Sequence, residues 1–247
     1  MYSPSSPQAQ FPGLSRADAL PYLRRVYLLF SGGVAFTIVG ALLALYTGEP
    51  TQVVSGDATL SIPPMVGFAM QHWIIMMLSF FGAFMVASRV RHARGVNVLA
   101  LFAFTFITGL FLAPTLFIAQ VMASQGTTLD ASPVRDAFLL TGGAFAGLSA
   151  YVLITRKDFS FLGAALSMGL WVVLGGILLT IFFHAAVFQL AIASAGVLLF
   201  CGYILYDTSR ILQEREDDAV GAALRLFLDV VNLFTFVLRI LSSSRQR

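Results

Sequence analysis

The chain has 247 residues, of which 58% are hydrophobic and 11% charged, with a net charge of +3 and a mean hydropathy of +0.85. A soluble domain carries about 25% charged residues, so this chain cannot coat a water-facing surface, and its composition specifies an integral protein of the lipid bilayer. No basic patch with interleaved aromatics is present, which argues against nucleic acid as a partner.

Residues 1–20 are rich in Ser, Pro and Gln, show no periodicity, and read as a disordered N-terminal tail. The first apolar run starts only after Arg24 and Arg25 and is too long for a signal peptide. Residues 21–247 then form one domain with seven apolar segments. About 20 residues cross a bilayer as a helix. The segments run Val26–Thr47, Met65–Ser88, Val96–Met122, Pro133–Thr155, Phe161–Phe183, Val187–Leu212 and Val220–Leu241. Pro114 is expected to kink the third. Gly142, Gly143, Gly147 and Ser149 in the fourth are spaced to let helix backbones approach closely. Gly175 and Gly176 lie near the middle of the fifth. The connections are short, so the expected fold is an all-α membrane protein, a compact bundle of seven transmembrane helices.

Basic residues set the orientation. Arg16, Arg24, Arg25, Arg89, Arg91, Arg94, Arg156, Lys157, Arg210 and Arg215 all fall on one side. The other side holds Glu49, Asp57, Asp130 and Asp136, with Arg135 as its basic residue. The positive-inside rule therefore puts the N-terminus in the cytoplasm. For the last segment, spanning places Arg245 and Arg247 outside, whereas dipping in and returning keeps them inside. Leu224, Phe227, Leu228, Val231, Phe234 and Phe236 make it apolar all round, the pattern of a helix surrounded by others. A spanning last helix at the centre of the bundle is the favoured arrangement.

Two carboxylates interrupt the last two segments, Asp207 in the sixth and Asp229 in the seventh. A charge at the bilayer centre costs about 2.5–3.5 kcal/mol on the insertion scale, so each marks a functional position by default. The turn QEREDDAVG is short enough to keep the two helices adjacent, and both acids reach a similar depth from the cytoplasmic side. Facing acids in a low-dielectric site do not easily both ionise. They titrate as a unit, sharing one proton near neutrality, and so form a pH switch. Local pairings compete with this reading: Asp207 with Arg210, and Asp229 with Arg225 or Asn232. Arg89 and Arg91 lie at the cytoplasmic end of the second segment, either as neutralising partners of the acids or as plain interfacial anchors.

Other chemistry is thinly represented. Cys201 is the lone cysteine, and His72, His92 and His184 fall in separate segments, so neither a disulfide nor a zinc site is expected. No nucleophile–base set, phosphate loop or cofactor motif suggests an enzyme. Two aspartates alone fall short of the several oxygens a bound calcium ion takes.

Four stretches resemble one family in the right order. They are FAFTFITGLFLAP from Phe102 to Pro114, GLSAYVLITRKDFSFLG from Gly147 to Gly163, GYILYDTSRIL from Gly202 to Leu212, and LFLDVVNLFTFVLRIL from Leu226 to Leu241. On these motifs the chain is similar to bacterial members of the Bax inhibitor-1, or transmembrane Bax inhibitor motif, family; its first two helices match in hydropathy only. The resemblance implies seven helices with the last wrapped by the other six. It implies a pH-sensitive calcium leak in the cell inner membrane, with calcium as the transported ion. It assigns the pH-sensing pair to Asp207 and Asp229, and a closed-state arginine on the second helix to Arg91, with Arg89 also open. A second branch of the family implies an alternative, a regulator that binds a membrane-anchored AAA protease, with the polar N-terminal tail as a handle. Members of that branch tend to lack the aspartates, which favours the leak.

Overall fold

The computed structural model describes residues 16–55, 58–93, 95–124, 132–183, 185–213 and 218–244. The fold is a helical bundle with one small β-hairpin. Helix α1 spans Arg16–Tyr46. It begins inside the stretch expected as a tail, whose residues 1–15 lie outside the described part.

The hairpin follows, β1 (Thr51–Ser55) pairing antiparallel with β2 (Ala58–Ile62), Thr51 opposite Ile62 and Ser55 opposite Ala58. The expectation of an all-α chain is corrected here. The alternation in ATLSI suits a short strand. The single helix expected over Met65–Ser88 is also two: α2 (Pro64–Gln71) and α3 (Trp73–Val90). Pro64 is pre-set for the first helical position, and the chain breaks at His72, whose φ of −112° and ψ of 43° leave the helical region.

Helix α4 (Val96–Ser124) runs continuously through Pro114. Helix α5 covers Pro133–Thr155, capped by Ser132, whose side chain accepts the Arg135 N–H. It ends on Arg156, a left-handed residue with φ of 53°. A single 3-10 turn, Ser160–Leu162, leads into α6 (Gly163–Leu179), which stops short of Phe183. Helices α7 (Ala186–Gln213) and α8 (Ala219–Ser244) complete the chain.

Six of these helical stretches are long and apolar enough to cross a membrane: Pro21–Tyr46, Trp73–Val90, Val96–Ala123, Pro133–Thr155, Ser160–Leu179 and Ala186–Gln213. Helix α8 is the seventh long helix and carries Arg225, Asp229 and Arg239. It packs on α1, α4, α5 and α7. From Asp218 to Ser243 its one exposed residue is Arg239. The chain is a multi-pass membrane protein.

The tightest helix pair is α1 with α4. A Cβ on Gly40 would strike the Phe106 carbonyl, and one on Gly109 the Thr37 carbonyl. Thr37 Oγ1 donates across this crossing to the Thr105 carbonyl at 2.8 Å. Small residues here let backbones touch. The helix predicted to do this was α5, but Gly142, Gly143 and Gly147 face open space, and only Ser149 of that set is buried. Helices α7 and α8 run antiparallel. Phe236 fills the space over Gly196 at one end, while Asp207 and Arg225 meet at the other.

Candidate functional site

The first turn of α8 builds the outer part of the site. Asp218 is 8% exposed. Its Oδ1 accepts the Gly221 N–H at 2.8 Å, and its carbonyl accepts the Ala222 N–H at 3.1 Å. It therefore caps a helix N-terminus, where a negative charge also meets the positive end of the dipole. Gly221 is needed for this, since a Cβ there would run into Asp218 Oδ2. That same oxygen lies 3.4 Å from Arg91 Nε, on a side chain 43% exposed. The Arg91 carbonyl accepts from Asn97 Nδ2 at 3.0 Å. The α3–α4 corner is thus tied to the start of α8.

Two turns further along α8 lies the inner part. Asp207 and Asp229 are 5% and 6% exposed. The two acids act on each other electrostatically, within reach of a carboxyl–carboxyl hydrogen bond, while Asp229 Oδ2 makes none. Ionised carboxylates only accept, so such a bond needs a proton on one partner. Arg225 Nε stands 3.6 Å from Asp207 Oδ1. Arg225 lies one turn before Asp229 and attracts that carboxyl too. One carboxylate, one carboxylic acid and one guanidinium would make a neutral group. Tyr203, one turn before Asp207, lies within electrostatic reach of both acids and near Ser167 of α6.

The structure therefore brings together Asp207, Asp229 and Arg225. Arg91 is placed on Asp218, and Arg89 is exposed at the end of α3. Arg210 lies over the Tyr206 ring at 5.6 Å. Asn232 turns its amide to the Leu228 carbonyl at 2.8 Å. Asp218, Tyr203 and Ser167 were not singled out from sequence. Asp218 had a legible signal, an aspartate directly before an uninterrupted apolar helix. The other two had none.

A second polar cluster closes the loop between α5 and α6. Phe159 N–H and Gln213 Nε2 both donate to Ser209 Oγ at 3.0 Å. Asp158 Oδ1 accepts the Ser160 N–H at 2.7 Å. This backbone donor, with Gln213 beside it, holds the Asp158 carboxyl below its ordinary value.

These features describe a polytopic helical membrane protein with two buried acids and an arginine between two neighbouring helices. The chain belongs to the family described as inhibitor of apoptosis-promoting Bax1, which it matches over residues 21–246. The likeness thus extends well beyond the four motifs and includes the first two helices. The chain is 32% identical to an uncharacterised protein of Campylobacter jejuni, covering 96% of this chain and 95% of that one. It is 32% identical to protein lifeguard 4 of Mus musculus, covering 92% and 87%. It is 30% identical to the Golgi anti-apoptotic protein of Vaccinia virus, with the same coverage.

Proposed function

We propose that the protein is a pH-sensitive cation leak of the cell inner membrane, with calcium as the transported ion, gated by Asp207 and Asp229. The observation that carries this reading is that both acids are buried, with Arg225 3.6 Å from Asp207 and one turn from Asp229. With one proton the group is neutral and ties α7 to α8. A second proton, taken up as cytoplasmic pH falls, ends the shared-proton tie between the acids and removes the charge that holds Arg225. Helix α8 then shifts and a path to the cytoplasm opens. In this reading α8 is a seventh span at the centre of the bundle, and the N-terminus is cytoplasmic. Its 26 residues give a helix of about 39 Å, lying along α7 for much of its length.

The closed-state basic partner is Arg225 in this proposal. Arg91 acts one step out, holding the start of α8 through Asp218. The test is calcium flux into dye-loaded liposomes across a pH series, for the parent, Asp207→Asn and Asp229→Asn. Either substitution should flatten the pH response. An unchanged pH profile in both removes the sensor role. The alternative, modulation of a membrane-anchored AAA protease, rests on the polar N-terminal segment. It is tested by co-purification with that protease before and after deletion of residues 1–15.

A further inference from the structure

We propose that the exposed face of α1 holds an anionic phospholipid, its phosphate on Arg24 and Arg25 and one acyl chain along the apolar surface below them. The inference is independent of the leak and of the side on which the N-terminus lies. Pro21, Arg24, Arg25, Leu28 and Leu29 line an open groove of about 550 Å³, within the range of sites that take small ligands. Their spacing of three and four residues puts them on one face of the helix. The stretch of α1 long and apolar enough to cross a membrane starts at Pro21, so the two guanidiniums lie at its mouth, at headgroup level. Both side chains are exposed, and among the described residues no acid pairs with either.

The surface below the groove suits a lipid chain. Leu28 is 62% exposed. One turn beyond it, a Cβ on Gly32 would strike the Phe102 ring of α4, so that ring lies against the α1 backbone. A further turn on, Phe36 is 44% exposed and stacks on the same Phe102 ring, with centroids 4.8 Å apart. From Arg25 to Phe36 the helix rises about 16 Å, about half of a hydrocarbon core of roughly 30 Å. The apolar surface therefore runs one leaflet deep, from headgroup to midplane. Charge selects the lipid. A phosphodiester accepts charge-assisted hydrogen bonds from guanidiniums, and basic pockets at a membrane surface take anionic headgroups. A zwitterionic headgroup brings its own cation and gains less. Residues 1–15 contain no acid, so that segment of the chain cannot supply the counter-charge, and Asp18, the one acid before the groove, is offset by Arg16.

Native mass spectrometry of the full chain in detergent tests the site. With dioleoyl phosphatidylglycerol or dioleoyl phosphatidylcholine added at equal concentration, the parent should retain the anionic lipid several-fold more. Arg24→Gln/Arg25→Gln should bring retention of phosphatidylglycerol down to that of phosphatidylcholine. Arg156→Gln/Lys157→Gln, which removes another exposed basic pair, should leave it unchanged. Leu28→Trp keeps both charges, fills the groove and should also lower retention several-fold. Excess glycerol 3-phosphate, a headgroup without chains, should displace little of the lipid. Equal retention of the two lipids by the parent, or undiminished retention in the Arg24/Arg25 variant, overturns the proposal. An equal loss in the Arg156/Lys157 variant overturns it in favour of diffuse surface charge. Unchanged retention in Leu28→Trp, or full displacement by glycerol 3-phosphate, overturns the lipid groove and leaves a phosphate-binding arginine pair.

Discussion

Replacing Arg225 by Gln should move the pH midpoint of flux upward. In the neutral group, the second proton must go onto a carboxylate 3.6 Å from the Arg225 guanidinium. At that separation and an effective dielectric near 20, the attraction is about 4–5 kcal/mol. The Arg225 side chain is 27% exposed, so solvent screens part of it, and about 2 kcal/mol is a reasonable remainder. One pH unit corresponds to about 1.36 kcal/mol. Loss of the guanidinium should therefore make protonation easier by about 1.5 pH units. The assay is calcium entry into proteoliposomes at fixed calcium and stepped pH, with Arg225→Lys as the control that keeps the charge. The parent and the Lys variant should share a midpoint, and the Gln variant should open at higher pH. Size-exclusion profiles must show that the Gln variant is folded, since removing one partner of a buried pair costs up to about 3–5 kcal/mol. An unmoved midpoint in a folded Gln variant, or a shift to lower pH, would refute the charge balance proposed here.

Three further outcomes follow from the packing and the loop chemistry. Gly109→Ala should lower thermal stability in detergent by about 1–3 kcal/mol through overpacking against the Thr37 backbone, whereas Gly142→Ala, in open space, should be neutral or gain up to about 1 kcal/mol of helix propensity. Asp218→Ala should cost about 1 kcal/mol by loss of the cap, while Asp218→Asn keeps the cap and loses only the half-exposed pair with Arg91; thermal melts separate the two. Asp158 is held below its ordinary value of 3.8, so its tie to the Ser160 N–H contributes fully above that value and is lost as pH falls through the lower, folded one. Hydrogen exchange at Ser160 should stay protected at neutral and mildly acidic pH, loosen only in stronger acid, and be unprotected throughout in Asp158→Ala.

Much of the bundle was legible because apolar length is a strong signal. The helix over Pro133–Thr155 matches its apolar segment end to end, and α7 differs by one residue at each end. The break at His72 was not legible. It falls on the polar pair Gln71–His72 inside an otherwise apolar run, with no proline or glycine at the break itself, and two polar residues do not by themselves end a helix. The glycines misled for a related reason. Spacing says that small residues share a helix face, but not whether that face meets another helix. Gly142, Gly143 and Gly147 point away, while Gly40 and Gly109, one on each of two helices, meet across a crossing that no single segment encodes. The two acids were legible because carboxylates in apolar helices are costly. Which arginine serves them was not, because the cost says that a partner is needed without saying where it comes from.

That question is answered by helical periodicity along α8. Asp218, Arg225, Asp229 and Phe236 are separated by seven, four and seven residues. At about 100° per residue they fall within a narrow stripe on one face. Phe236 covers Gly196 of α7, and Arg225 meets Asp207 of the same helix, so the stripe faces α7 along the inner part of α8. At its outer end the stripe meets Arg91 from the α3–α4 corner. Along this one face the charges alternate, acid, base, acid, over about 16 Å of helix rise. Each charge therefore has an opposite charge along its own stripe, and Asp218 and Arg225 have one on a neighbouring element as well. In the proposed gating, a second proton at Asp207 removes the charge facing Arg225 across the interface, and Asp218 is the ionised acid left to it within the stripe. Under the proposed gating, the response to protonation is a choice of partner along a single helix face, which is the kind of discrete rearrangement a packed bundle can make without opening its apolar core.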